Sequence, residues 1–319
     1  MTARTPRAID PQEAASLLWS GNKILILAHI NPDGDTLGSA FALCRALAGA
    51  GKKARVECDD VLPSKYSFMW SGLEEETFDP EFTVCVDIAG EELLGRLKKY
   101  KIDLCIDHHK SNSIRADHTL IDDGAAATAE IVYGLLKLAG AEIIKEIADC
   151  LYTGVATDTG CFRYSNVTAR THRITAELLE RGADGAEINR VMFDTKSRGY
   201  VELERMALDS LRMYYGGRCA VITITLDMLR QSGMDESGCE GISSLPRQIE
   251  GVMIGITVTQ RADGSCKASV RTHEPIDASE LCAALGGGGH ARAAGCRVAC
   301  GSVSEAVFKL LEEAGKYLS

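Results

Sequence analysis

Three short apolar runs, each ending in metal-ligand side chains, constrain this chain more than any other feature. Residues 23–28 lead straight into His29-Ile30-Asn31-Pro32-Asp33-Gly34-Asp35. Residues 82–88 carry Asp87 near their C-terminal end, and residues 102–106 end in Asp107-His108-His109. Short runs that are apolar at successive positions read as parallel strands buried on both faces. Ligands of open parallel sheets bind beyond the carboxyl ends of the strands. A sheet built from these runs would therefore gather the imidazoles and carboxylates along one edge.

The segments between the runs support such a sheet. Apolar spacing predicts helices over 12–20, 36–50, 91–99, 125–139, 143–157 and 171–181, with a further strand at 54–57. Pro63 opens a short helical stretch. Strand and helix alternate from 23 to 182, which implies an α/β domain: a mostly parallel sheet with helices on both faces. Residues 186–214 read as a helical connector of mixed charge. The pattern then changes. Strands are expected at 218–225, 251–260 and 266–271, with Arg261-Ala262-Asp263-Gly264 as a hairpin turn between the last two. Helices at 279–285 and 303–317 complete a smaller α+β domain. The expected division is 1–185, a connector at 186–214, and 215–319.

Composition narrows the function. The 319 residues are 45% hydrophobic and 25% charged, as in soluble globular proteins, and the net charge is −10. Proteins that hold long duplex nucleic acid by its phosphates show a strong basic face, so small or short phosphorylated ligands fit this chain better. No apolar stretch approaches the roughly 20 residues that span a bilayer. Residues 1–11 lack the apolar core of a secretory signal, so the expected location is cytoplasmic, with no membrane partner. Most of the twelve cysteines are embedded in apolar runs and read as reduced core thiols.

Taken singly, the acidic residues are ambiguous. An aspartate at a strand exit commonly caps the following helix, and Asp158 in Thr157-Asp158-Thr159-Gly160 could be a turn residue. Taken together, His29, Asp33, Asp35, Asp87, His108 and Asp158 supply two imidazoles and four carboxylates. That set suits a pair of divalent ions sharing one carboxylate, as two-metal hydrolases require. Mixed imidazole and carboxylate ligation favours Mn²⁺ over Mg²⁺. Gly286-Gly287-Gly288-Gly289-His290 lacks the Lys-Ser/Thr of a nucleotide-triphosphate loop and the spacing of a dinucleotide fingerprint. Four successive glycines still allow close backbone approach to a ligand. His118 and His172 lie outside these clusters and read as structural or surface residues.

These motifs, in order, resemble those of the DHH phosphoesterase superfamily. They are His29-x-Asn31-Pro32-Asp33-Gly34-Asp35 with Gly38-Ser39, then Val86-Asp87, then Asp107-His108-His109, then Thr157-Asp158-Thr159-Gly160. The resemblance implies one Mn²⁺ on His29, Asp33 and Asp87, and a second on Asp35, Asp87, His108 and Asp158. The implied nucleophile is a hydroxide activated by both metals. His109 would touch the phosphate or leaving oxygen, and Asp107 would orient the histidines. Ala268-Ser269-Val270-Arg271, the glycine run and His290-x-Arg292-Ala293-Ala294-Gly295 resemble the DHH-associated C-terminal domain with its GGGH motif. By that resemblance Arg271, Gly286, Gly287, Gly288, Gly289 and His290 bind the substrate's phosphate and nucleotide. Arg292 and His273 are further candidates.

The two domains together resemble the compact nanoRNase and pAp phosphatase group. The resemblance implies hydrolysis of oligoribonucleotides of two to five nucleotides to mononucleotides, removal of the 3′-phosphate of adenosine 3′,5′-bisphosphate (pAp), or both. The alternatives are a phosphodiesterase for cyclic dinucleotides or their linear products (c-di-AMP, pApA, pGpG), an inorganic pyrophosphatase, and a nucleotide-binding protein without turnover. Whether the chain pairs as a homodimer stays open.

Overall fold

The computed structural model describes residues 6–235, 239 and 241–318. The apolar runs do form neighbouring parallel strands. In chain order the first part comprises β1 (Arg7–Ala8), α1 (Pro11–Ser20), β2 (Lys23–Leu27), α2 (Gly34–Gly49), β3 (Lys53–Glu57), β4 (Phe82–Val86), β5 (Ile102–Asp107) and β6 (Ala116–Ile121). It continues with α3 (Thr128–Leu138), α4 (Lys145–Asp158), α5 (Ala169–Glu180) and α6 (Gly185–Asn189). The six strands lie in the order β1-β6-β5-β4-β2-β3, and every pairing is parallel.

Alternation along each strand divides the core into two layers. Ile24, Ile26, Val84, Val86, Leu104 and Ile106 face one way, against the apolar sides of α1 to α4. Leu25, Leu27, Cys85 and Cys105 face the other way, against Leu94, Leu97 and Ile114. The second face is covered differently from expectation. Residues Glu91–Lys99 form short 3₁₀ turns that meet at Gly95, whose φ of 55° breaks any continuous α-helix. A Cβ at Gly95 would fall 2.3 Å from Asp59 Oδ2, and that carboxylate accepts from the amide of Arg96 instead.

The second part begins with α7 (Arg198–Asp209), β7 (Arg212–Tyr214), β8 (Cys219–Ile224) and α8 (Leu226–Ser232). It continues with β9 (Ile254–Gln260), β10 (Cys266–Thr272), α9 (Ala278–Ala283), β11 (Gly288–His290), β12 (Ala293–Val298) and α10 (Val303–Leu318). Its sheet runs β11-β12-β10-β9-β8-β7 and is antiparallel apart from β8 with β9. Val270, Ala294 and Cys296 join Leu281, Leu310 and Ala314 in a core on one face. Leu203, Leu229 and Ile242 pack with Ile222 and Ile224 in another. The last two glycines of the run form strand β11 together with His290. Pairing with β12 supplies the order that glycine's weak strand preference does not.

By contacts the chain divides into two units, Met1–Thr195 and Lys196–Ser319. The segment expected as a connector is helical in α6 and α7 and is shared between them. All twelve cysteines are free. Among the described residues, no helix is long and apolar enough to cross a membrane.

Candidate metal centre

Strand order explains how distant residues meet. In the first unit β4 lies between β2 and β5. Asp87, just past the end of β4, therefore stands between His29, past the end of β2, and the Asp107-His108-His109 turn that ends β5. Its own backbone is in the left-handed region, with φ of 59°. That conformation is uncommon outside glycine and costs about 1–3 kcal/mol, so the surroundings must enforce it. The Asp87 amide donates to Ile106 O at 2.9 Å, and Thr128 Oγ1 donates to Asp87 Oδ1 at 3.0 Å.

Two ligand clusters form around this carboxylate. His29, Asp33 and Asp87 offer atoms within 4.8 Å of one another, and so do Asp35, His108 and Asp158. A third grouping joins Asp87 to Asp107, His108 and His109. Asp87 Oδ2 lies 3.8 Å from His29 Nε2, while Oδ1 lies 3.7 Å from His108 Nε2. The carboxylate thus turns one oxygen to each side. His29 Nε2 is 3.7 Å from Asp33 Oδ1, and His108 Nε2 is 3.4 Å from Asp158 Oδ2.

Hydrogen bonds fix which ring nitrogen faces inward. His29 Nδ1 donates to Ile30 O at 2.8 Å and His108 Nδ1 to Ala125 O at 3.3 Å. Both Nε2 atoms then carry lone pairs, the tautomer that a metal ligand needs. His108 Nε2 is buried and has no hydrogen-bond partner. A buried acceptor left without a donor beside three carboxylates fits a cation, and the donor set of imidazole and carboxylate fits a divalent one.

Other residues hold the ligands in place. Asp33 caps α2, accepting from the amides of Asp35 and Thr36. It is therefore a helix cap and a member of the cluster at once. Asp35 is fully buried and accepts from Thr128 N at 2.7 Å, Ala129 N at 2.9 Å and Ser39 Oγ at 3.3 Å. Asp107 accepts from the amide of His108, from His109 Nδ1 and from Asn112 Nδ2. Thr128 and Asn112 are the residues that sequence reading missed. Neither has a ligand-type side chain, and Thr128 opens a helix in an ordinary way.

The electrostatics are those of too many carboxylates in one place. Burial, then the charges of Asp87 and Asp158, push the Asp35 carboxyl well up. Burial and the charges of Asp33 and Asp158 do the same to Asp87. Burial and the Asp33 charge push Asp158 up to about 7. Burial and the charge of His109 pull His108 down. His109 goes the other way, because its hydrogen bond to Asp107 favours the imidazolium. Divalent cations would reverse the carboxylate shifts.

The second unit places its sequence-picked residues on adjoining strands. Arg271 on β10 is registered with Ala293 on β12, which is registered with His290 on β11. Residues paired across an antiparallel sheet point to the same face. Arg271 and His290 thus share a face, with only an alanine between them. Gly255 is registered with Arg271 on the other side, which leaves the arginine small neighbours both ways. Gly287 needs its lack of a side chain: a Cβ there would lie 2.2 Å from Gly295 O. Arg292 donates from Nη1 to Ile276 O at 2.7 Å, and His273 Nε2 is 3.2 Å from Arg247 O. Both are therefore engaged with the main chain.

The DHH family N-terminal domain matches residues 23–155, and the DHHA1 domain matches residues 216–319. A Thermus thermophilus protein named bifunctional oligoribonuclease and PAP phosphatase NrnA is 32% identical over 297 residues, 91% of this chain and 88% of its own length. A Bacillus subtilis protein of the same name is 23% identical over 86% of this chain and 89% of its own. The crystal structure of an exopolyphosphatase-related protein from Bacteroides fragilis matches in fold, with a TM-score of 0.87 at 24% identity. It covers 97% of this chain and 96% of that one. With both domains matched in order and a relative this similar along nearly its whole length, the chain belongs to the DHH family of phosphoesterases, in the group that carries a DHHA1 domain.

Proposed function

We propose that the protein is a Mn²⁺-dependent phosphoesterase that cuts short oligoribonucleotides to mononucleotides and removes the 3′-phosphate of pAp. The observation that carries this reading is Asp87, presented just past the end of the central strand β4 with one oxygen toward each of two ligand clusters. The names of the Thermus thermophilus and Bacillus subtilis relatives support the substrate class.

In this reading His29, Asp33 and Asp87 hold one divalent ion, and Asp35, Asp87, His108 and Asp158 hold the other. When bound, such a pair supplies positive charge that acidifies water and neutralises phosphate oxygens. The remaining steps belong to the side chains. Asp107 accepts from His109 Nδ1, which favours the charged ring and turns Nε2–H to a phosphate or leaving oxygen as a donor. Asn112 keeps Asp107 oriented for that task. In the second unit the Arg271 guanidinium offers a paired contact to a terminal phosphate. His290 and the Gly288 and Gly289 backbone belong to the same sheet, with Gly286 and Gly287 leading into it. A small anionic ligand of this kind agrees with a net charge of −10, which does not favour long duplexes.

Turnover of pAp, pApA, pGpG, a five-nucleotide RNA, cyclic-di-AMP and pyrophosphate, with Mn²⁺ and with chelator, tests the reading. The expected result is metal-dependent release of mononucleotides from the linear substrates and of phosphate from pAp, with Asp87→Ala losing at least a hundredfold in rate. Turnover of pyrophosphate alone, or full activity in Asp87→Ala, would overturn it.

A further inference from the structure

Two buried carboxylates of the centre, Asp35 and Asp87, meet at the same place, the first turn of α3. Asp35 Oδ2 accepts from Thr128 N at 2.7 Å, and Asp35 Oδ1 accepts from Ala129 N at 2.9 Å. The Thr128 hydroxyl donates to Asp87 Oδ1 at 3.0 Å. Thr128 is fully buried, so its hydroxyl has no water to turn to. One residue therefore ties Asp35 on α2 to Asp87 just past the end of β4. No other residue described here bonds to both carboxylates.

We propose that Thr128 is the positioning residue of the metal centre, and that its hydroxyl sets the orientation of the carboxylate shared by the two cations. The chemistry follows from what Asp87 must do. To serve two cations it must hold its plane so that Oδ2 points toward His29 and Oδ1 toward His108. Its backbone is left-handed, so the chain alone does not secure that orientation. The Thr128 hydroxyl occupies one lone pair of Oδ1 and leaves the others for a cation. The amides at the start of α3 bring partial positive charge to the Asp35 carboxylate and hold it in place. Close packing holds this turn in place: a Cβ on Gly154 would lie 2.7 Å from Ala129 Cβ and 2.8 Å from Asp35 Oδ1. Partners of this kind behind a ligand govern affinity about 10- to 100-fold.

The inference rests on the two-cation reading, and direct metal binding separates the two. Mn²⁺ titration of the full chain, followed by calorimetry and by electron paramagnetic resonance of free Mn²⁺, is compared for wild type, Thr128→Val, Thr128→Ser and Thr128→Ala. Wild type is expected to bind two ions. Thr128→Val, which keeps the shape and loses the hydroxyl, should bind at least one of them about 10- to 100-fold more weakly. Thr128→Ser should stay within about threefold of wild type. In turnover assays the Mn²⁺ concentration for half-activity should rise in Thr128→Val while the substrate KM at saturating metal stays put. Should Thr128→Val fold poorly, the Ser and Ala pair carries the same comparison. Wild type binding two ions with Thr128→Val or Thr128→Ala equally tight would overturn the role of Thr128 and leave the metal centre standing. So would a Thr128→Ser as weak as Thr128→Ala. Wild type binding fewer than two ions would overturn the two-cation reading and this inference with it.

Discussion

At the scale of single residues, the centre stores unfavourable charge until cations arrive. Asp158 is pushed up to about 7, and Asp35 and Asp87 are pushed well above the ordinary carboxylate range. A carboxyl raised in the folded state keeps a proton that the unfolded chain has already lost. Between about pH 4 and pH 7 these three carboxyls take up protons on folding, and their contribution to the stability of the metal-free protein is lost as pH rises through that window, while His108, pulled down, contributes in the opposite sense. His29 and His109 are raised as well, and their contribution is likewise lost as pH rises. Thermal melts with chelator should show the transition falling from about pH 5.5 to pH 8. The rise on adding Mn²⁺ should grow over the same range, because the ion displaces those protons. A Mn²⁺ shift that is equal at both ends of the range would contradict this account. The clustered residues were legible in sequence because His and Asp recur together at successive strand exits, although each aspartate alone has the ordinary use of capping a helix. Thr128 and Asn112 were not, since a threonine or asparagine beside a turn has many ordinary uses.

At the scale of elements, the centre depends on how closely α2 lies against α4. Thr36 Oγ1 donates to Val86 O at 3.1 Å, which joins α2 to β4 beneath the ligands. Gly38 lets the helices approach: a Cβ there would fall 2.4 Å from Cys150 O and 3.0 Å from Gly154 N. Those atoms are backbone and cannot rotate away. Gly38→Ala should therefore destabilise the protein by about 1–3 kcal/mol, read from denaturant unfolding. It should also weaken Mn²⁺ binding by displacing Asp35. An unchanged unfolding midpoint would show that the helices have room to part. Sequence periodicity found the central strands and most of the long helices, because burial dictates those patterns. It missed β6, whose Asp117, His118 and Thr119 break an apolar run, and β11, whose glycines carry no strand signal. It read an α-helix over Glu91–Lys99, where Gly95 permits only 3₁₀ turns.

At the scale of the whole molecule, each unit contributes a different chemistry. The first concentrates acidic and imidazole ligands. The second presents Arg271 and His290 in one row of a sheet, flanked by Gly255 and Ala293. If the second unit reads the nucleotide's phosphate, Arg271→Ala should raise KM for a dinucleotide on the order of tenfold or more, as loss of a charged paired contact implies. Mn²⁺ binding should stay as in wild type, since Arg271 belongs to a separate sheet. An unchanged KM would remove Arg271 from the substrate site. By itself the sequence determined the α/β class, the residue types that gather at strand ends and the motifs that mark the family. Those properties are local, because hydrophobic runs and side-chain identity are written position by position. Only the tertiary structure decided that β4 stands between β2 and β5, so that Asp87 turns one oxygen toward His29 and the other toward His108. It alone brought Thr128 to Asp35 and Asp87 across more than forty residues of chain. Such contacts depend on strand order and helix approach, which close-packing of the whole core selects.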